Sequence, residues 1–261
     1  KLHSVCLADL NSNFGVNDAG RPGTFEGRDW VQMQCGARYA GSCYGRPILV
    51  DGGLYIVTVS ADGVNVSAKK YDGPAGTLDT GHPAWECWLT GLDGVFQIAA
   101  DAKTVPLPPD KYELSRYMEY SSTDSNKPGY TLFCGGSPVA VGIRDGQTTN
   151  VAIGSPVTAK VTADVSGKTV TFTYTVRDVS GRRADVWPPN WESSPPPSIK
   201  IVASDNRPVD RIKLSEGDWS TDGWRIEWKV REGLSGTFTA TMESDTGPFI
   251  TKPATATFTV K

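Results

Sequence analysis

Oxygen-bearing side chains near the start of the chain recur at the spacing of a calcium-binding loop. Four of them occupy the first, third, fifth and ninth places of such a loop: Asp9, Asn11, Asn13 and Asn17. Calcium takes clustered carboxylate and amide oxygens as ligands. Phe14 stands where an EF-hand has its turn-forming glycine, and Gly20 stands where the bidentate acid belongs. The pattern predicts calcium as the one candidate cofactor, with an asparagine-rich turn as the alternative.

The chain offers few groups for acid–base catalysis. Its only histidines are His3 and His82, and no Gly-x-Ser-x-Gly elbow accompanies them. Four carboxylates suit a glycosidase or, equally, solvated strand faces: Asp93, Asp101, Glu113 and Glu119. We therefore predict a protein without a catalytic site. A secreted hydrolase with an unrecognised site is an alternative.

Tryptophans cluster in segments between strands, where exposed rings could bind a partner. Four are candidate contact residues: Trp85, Trp88, Trp187 and Trp191. Exposed indoles stack on sugar rings or anchor protein interfaces. The alternative is local packing, in which each ring covers its own loop or core. The candidate partners are a protein, either a second copy or a neighbouring subunit, and a polysaccharide.

All five cysteines precede residue 135, and none forms a Cys-x-x-Cys motif. This spacing disfavours zinc ribbons, redox motifs and haem attachment. Wide spacing in a glycine-rich segment suggests disulfides formed outside the cytosol. Connectivity is not readable from sequence; we expect Cys35–Cys43 and Cys87–Cys134, which leaves Cys6 over. Reduced, buried cysteines in a cytosolic protein are the alternative.

Charge and hydropathy narrow the partners further. The formal net charge is -3, and Lys and Arg are scattered singly, which argues against nucleic acid or an anionic membrane surface. No apolar run approaches the ~18 residues of a membrane-spanning helix. Because the chain opens at Lys1 without a Met, we expect a processed, secreted or cell-surface protein. A trimmed fragment is the alternative.

Apolar residues recur at period two from residue 47 onwards, which is typical of strands that bury one face. Asp62-Gly63 and Asp145-Gly146 supply turn signals between such runs. The pattern predicts an all-β fold of two antiparallel β-sandwich domains with a long irregular N-terminal arm. The arm covers residues 1–46, and the domains cover 47–154 and 155–261.

Residues 181–197 interrupt the second domain with five prolines and two tryptophans. Proline lacks a backbone donor and cannot lie in a central strand, so we expect a stiff, extended surface loop. Asn65-Val66-Ser67 matches an N-glycosylation acceptor, although it falls in an expected strand.

Two families resemble parts of the chain. The run GVFQIAADAKTVPLPPDKYELS, followed by a strand pair around DGQTT, resembles carboxypeptidase-regulatory-like (transthyretin-like) domains over residues 47–154. Residues 155–261 resemble immunoglobulin-like or fibronectin type III-like domains, with Trp224 or Trp228 as the core aromatic. The first resemblance implies a binding or scaffold module without catalysis.

These observations favour a non-catalytic, secreted or cell-surface protein with a structural or adhesive role. We expect a subunit of an extracellular assembly, such as a filament, coat or appendage, joined by strand addition to an exposed sheet edge. The alternative is a carbohydrate-binding accessory module of a secreted system.

Overall fold

The computed structural model describes residues 5–8, 29–35, 38–60, 64–92, 94–122, 129–187, 198–213, 219–220, 223–244 and 247–261. These residues form strands, turns and bends. The predicted all-β class is confirmed. Among them there is no helix long and apolar enough to cross a membrane.

The chain divides into two compact units. Unit 1 comprises Lys1–Pro128 and Gly135–Ile153, and unit 2 comprises Gly129–Cys134 and Gly154–Lys261. The sequence patterns put a domain boundary between residues 154 and 155, and unit 2 resumes at Gly154. No sequence pattern indicated that the earlier segment, Gly129–Cys134, belongs to unit 2.

The strands of the first part of the chain are short and closely spaced. They are β1 (Val5–Ala8), β2 (Trp30–Cys35), β3 (Arg38–Cys43), β4 (Pro47–Val50), β5 (Gly53–Val59), β6 (Val66–Lys70), β7 (Gly76–Asp79), β8 (Trp85–Gly91), β9 (Gly94–Ala100), β10 (Thr104–Leu107), β11 (Asp110–Tyr120), β12 (Thr131–Gly135), β13 (Val139–Ile143) and β14 (Thr148–Asn150). All of them except β12 belong to unit 1.

The described residues of unit 1 form three sheets. The largest has the strand order β1-β2-β3-β9-β8-β11-β13, with every neighbouring pair antiparallel. A second sheet has the order β4-β5-β6. The third has the order β10-β7-β14, in which β14 runs parallel to β7.

The structure corrects the expectation of an irregular arm where residues 30–43 are concerned. Residues 30–35 and 38–43 pair as the β2–β3 hairpin within the largest sheet. Val31, Met33 and Ala40 are buried in a cluster with residues of β4 and β5, among them Ile48 and Val57. Because Val31 and Met33 alternate with exposed or half-buried glutamines, burial of one face stabilises a strand despite the glycine-rich surroundings.

The remaining strands belong to unit 2. They are β15 (Thr158–Ser166), β16 (Thr169–Arg177), β17 (Arg183–Trp187), β18 (Ser198–Ala203), β19 (Pro208–Lys213), β20 (Trp219–Ser220), β21 (Gly223–Lys229), β22 (Gly236–Glu243) and β23 (Thr255–Val260). Strand β17 occupies part of the expected surface loop over 181–197, because Ala184 is buried there; residues 188–197 lie outside the described part of the chain.

Two antiparallel sheets enclose the core of unit 2. In one, β16 pairs with β15, β17 and β21; the other has the order β19-β18-β22-β23. Phe172 from the first sheet meets Phe258 from the second edge-to-face at 5.4 Å between ring centroids. Trp228 is buried against Phe238 and Phe258. Of the two tryptophans proposed for the core, Trp228 is the one that fills it.

Candidate functional site

The expected metal and catalytic residues do not converge on one site in the described residues. The calcium candidates Asp9, Asn11, Asn13 and Asn17 lie outside those residues, so calcium stays a prediction. Where side chains are described, no group of three His, Cys, Asp or Glu residues could hold a metal ion. Asp101 and Glu113 are exposed, whereas Glu119 is buried; Asp93 lies outside the described part.

The half-buried His82 and the buried Glu119 form a pair in unit 1. The imidazole Nδ1 lies 3.2 Å from Oε1 of Glu119, and Nε2 lies 3.0 Å from the carbonyl oxygen of Ile153. Burial lowers the pKa of His82, but the hydrogen bond and charge of Glu119, with the Ile153 carbonyl, outweigh that effect and raise it. Both partners accept hydrogen bonds, so the ring satisfies them together when doubly protonated. The geometry therefore suits a structural clamp better than a general base.

The expected disulfides are corrected by the structure. Cys43 and Cys87 are buried free thiols. In the β2–β3 hairpin Cys35 lies opposite Arg38, whereas Cys43 lies opposite Trp30, so Cys35 and Cys43 are at opposite ends of the hairpin and too far apart to bond. Cys87 lies opposite Ile98 and Tyr117 on its two neighbouring strands. Burial raises the pKa of Cys87, which keeps it protonated and unreactive.

Of the four tryptophans expected to contact a partner, Trp85 belongs to the core. It is 0% exposed, and its indole Nε1 donates to the carbonyl oxygen of Ala102 at 2.8 Å. This corrects the expectation, because a fully buried ring cannot touch a ligand. Trp187 is 42% exposed at the end of β17. Trp191 lies outside the described residues.

Trp88 lies on the opposite face of β8 from Trp85 and meets Trp30 of β2. Their ring centroids are 6.1 Å apart, and their planes lie within 4° of parallel. At that centroid distance two parallel rings must be offset, which is a favoured aromatic arrangement. Gly41 of β3 makes room for it, since any Cβ there would collide with the Trp30 indole. Both indoles are half-buried.

Two glutamines lie beside the ring pair, Gln32 half-buried and Gln97 buried. Gln32 Nε2 donates to Gln97 Oε1 at 2.9 Å. Across the sheet, Gln32 lies opposite Gly41, Gly41 opposite Gln97, and Gln97 opposite Trp88, so these residues share one face. We call Trp30, Gln32, Gly41, Trp88 and Gln97 the Trp30–Trp88 face. Sequence reasoning missed Trp30; the signal was its place at the start of the alternating run WVQMQC.

Strand β6 is the last strand of its sheet in the described chain, and all five of its residues are exposed. Two backbone hydrogen bonds flank it: the Ser60 N–H donates to the Asn65 oxygen, and the Tyr71 N–H donates to the Leu54 oxygen, both at 2.9 Å. Backbone groups along an antiparallel strand point alternately to either side. The odd-numbered residues therefore face β5, and the even-numbered residues present N–H and C=O groups outwards. These are Val66, Ala68 and Lys70.

Apolar side chains accompany this open edge. Val66 is 50% exposed, and Val64, just before the strand, is 76% exposed. Val66 lies opposite Val59 and Ala68 opposite Val57, and both partners on β5 are buried. The face of the sheet that is buried at β5 is thus uncovered at β6. Asn65, in the glycosylation motif, is exposed at the start of the strand. We call Val64–Lys70 the β6 edge.

Comparison with protein-family models, with curated proteins and with solved structures found no match to this chain. The resemblances to transthyretin-like and immunoglobulin-like domains therefore stay predictions.

Proposed function

We propose that this protein is a non-catalytic structural and adhesive protein, and that it acts as a subunit of an assembly outside the cell, such as a filament, coat or appendage. The observation that supports this proposal is the β6 edge. It offers a row of outward backbone donors and acceptors beside exposed valines. Such a row is a template to which another chain can add a strand.

The composition of β6 distinguishes it from a protected edge. Natural sheets guard their edges with lysines, prolines, bulges or a covering segment. Lys69 and Lys70 lie together at one end of β6, and the stretch from Val66 to Ala68 carries neither charge nor proline. An edge that is guarded at one end and open at the other can accept a partner strand.

The location outside the cell is part of the proposal, and the Asn65-Val66-Ser67 glycosylation motif is consistent with it. The widely spaced cysteines no longer support it, because Cys43 and Cys87 are free thiols and a cytosolic protein would keep them so as well. Fractionation of the source cells, with the intact protein followed by an antibody, tests this element separately.

Self-assembly is tested on the intact chain by sedimentation velocity over a hundredfold range of concentration, with electron microscopy of the most concentrated sample. We expect species larger than the monomer to grow with concentration, as mass action requires. A strict monomer at every concentration would overturn the proposed function.

A second candidate, polysaccharide binding, is favoured by the Trp30–Trp88 face. Aromatic planes bind sugar rings, and neighbouring amides supply hydrogen bonds. Pull-down with insoluble polysaccharides tests it: Trp88→Ala should lose binding. Trp228→Phe, a conservative change in the core of unit 2, is the control for a general effect of tryptophan loss. Retention of binding by Trp88→Ala would remove this candidate from the face.

A further inference from the structure

We propose that the β6 edge pairs with the β6 edge of a second copy of this chain, antiparallel and about a two-fold axis at Ala68. This inference rests on the proposed function, since it names the partner of the same edge. It joins two β4-β5-β6 sheets into one continuous sheet. A contact of this kind uses the same surface on both subunits and closes on itself.

The backbone selects the register. Residues that exchange hydrogen bonds in an antiparallel pair must both point their groups towards the partner. With Ala68 opposite Ala68 of the second copy, Val66 lies opposite Lys70. Each of the three outward residues on one strand then pairs with an outward residue on the other. A shift of two residues towards the C-terminal end sets Lys69 opposite Lys69. The same shift towards the N-terminal end sets Lys70 opposite Val64, which precedes the strand, so fewer residues of β6 pair.

Charge selects the orientation and favours an identical partner. Lys69 and Lys70 are adjacent at one end of β6 and exposed. Lys69 Nζ lies 3.5 Å from Asp72 Oδ2, but an exposed pair of this kind offsets the lysine charge only weakly. A parallel pair would bring the four lysines of two copies together at one end, where like charges repel. In the antiparallel pair they separate to opposite ends, where Lys70 lies beside Val66 and Lys69 beside Ser67. Each charged end therefore meets an uncharged end of the same sequence.

Exposed apolar surface adds to this pairing. Val66 and Ala68 share the face of Val59 and Val57, which are buried in unit 1. In the pair, the aliphatic stem of Lys70 from the second copy lies against Val66 while its ammonium group stays in water. The pair thereby shields part of a valine that is 50% exposed in the single chain.

Position 68 provides the decisive experiment, because it faces itself across the axis. Ala68→Glu and Ala68→Lys each place two like charges opposite one another, and an equimolar mixture places opposite charges there. In sedimentation equilibrium on the intact chain we expect each variant alone to self-associate roughly two- to fivefold more weakly than the parent. The mixture should recover the parental affinity or exceed it.

Ala140→Glu and Ala140→Lys are the matched control. Ala140 is exposed on β13, another strand at the end of a sheet in unit 1, so the same change in charge there should leave self-association unaltered. Circular dichroism of every variant confirms that the fold is retained. Should Ala68→Glu unfold, Asn65 provides a second measurement. A glycan attached there in a glycosylating host should block pairing, and Asn65→Gln should restore it.

The outcomes separate the two proposals. If the parent associates and Ala68→Glu and Ala68→Lys associate equally well, the pairing through β6 is overturned while the assembly function stands. Weakening in both variants without recovery in the mixture overturns the two-fold register at Ala68. A parent that stays monomeric overturns the proposed function and the pairing together.

Discussion

The role of an individual residue in this protein depends on the hydrogen bonds and the charge state that its surroundings favour. His82 is one of the few groups with which the chain could perform acid–base chemistry, yet Glu119 and the Ile153 carbonyl engage both ring nitrogens. A ring held in this way favours its positively charged form, because both partners raise its pKa, and it joins three segments of unit 1. The sequence offered no nucleophile or catalytic motif beside it, and its contacts suit a stabilising role.

Substituting His82 tests this clamp through pH. Because the folded-state pKa is raised, the stabilisation is fully present below the unfolded value of about 6.5 and is lost as pH rises through the folded value. We expect His82→Gln to cost about 1–3 kcal/mol in urea unfolding near pH 5.5, and less near pH 9. Glu119→Gln should flatten the same pH dependence. An equal cost at both pH values would contradict a charged clamp.

Asp185 is the opposite case to His82, because its surroundings favour the uncharged form of the side chain. It lies on β17, and burial raises the pKa of its carboxyl to about 6, although the neighbouring Arg183 lowers it. The folded state then binds the proton more tightly than the unfolded state, so this residue makes stability fall as pH rises from about 4 to about 6. The cost remains in full at higher pH.

Asp185→Asn removes the ionisable group while keeping its shape. Relative to the parent, we expect this variant to gain stability between pH 4 and pH 7, by up to about 3 kcal/mol, a value that loss of the Arg183 contact reduces. Thermal unfolding of both proteins across that range measures the difference. A difference that does not change with pH would show that Asp185 has an ordinary pKa.

At the scale of elements, strand pairing distant in sequence creates the surfaces that matter. Trp30 and Trp88 lie on strands separated by β3 and β9, and their rings meet across those strands because Gly41 leaves space above the sheet. The β6 edge exists because the three-stranded sheet β4-β5-β6 ends there in the described chain. In both places the residue types are visible in the sequence, whereas their neighbours depend on the order of strands.

Gly41→Ala tests the aromatic pair. The added methyl group collides with the Trp30 indole, so the ring must move away from Trp88, at a cost of about 1–3 kcal/mol. We expect the near-ultraviolet circular dichroism of the coupled indoles to change, as it should in Trp30→Phe. Gly142→Ala is the control, because nothing lies within 4 Å of a Cβ at that glycine. An unchanged spectrum for Gly41→Ala would contradict the contact.

At the scale of the whole molecule, the periodicity of apolar residues predicted the strands, because a strand that buries one face leaves that local pattern in the sequence. The apolar alternation that runs from residue 47 onwards, and that includes Val170, Phe172 and Tyr174, predicted strands with one buried face, and Trp228 was one of two candidates for the core of unit 2. Trp85 and Trp88 are three residues apart and must face opposite sides of a strand, but sequence does not tell which side the core occupies. The β2–β3 hairpin was missed because its apolar face is two or three residues long, among glycines and glutamines.

Unit 2 is built from two separate segments of the chain, and this leads to a prediction about a fragment that contains only part of them. The boundary expected from sequence gives the fragment 155–261, which lacks the segment Gly129–Cys134. That segment includes Leu132 and Cys134, both 0% exposed in the intact chain, and its strand β12 neighbours β17 of unit 2; burying a leucine side chain contributes at most about 2 kcal/mol. The fragment also lacks Gly154, whose N–H donates to Asp178 Oδ2 at 3.3 Å.

We therefore expect fragment 155–261 to unfold at a lower temperature than unit 2 does in the intact chain. A synthetic peptide spanning residues 129–135 should raise its melting temperature with increasing peptide concentration, because a ligand of the folded state stabilises it by mass action. The same peptide with Leu132→Asp should have little effect, since a carboxylate cannot replace the buried leucine without a large desolvation cost. A fragment as stable as the intact unit and indifferent to both peptides would show that β12 contributes nothing to unit 2.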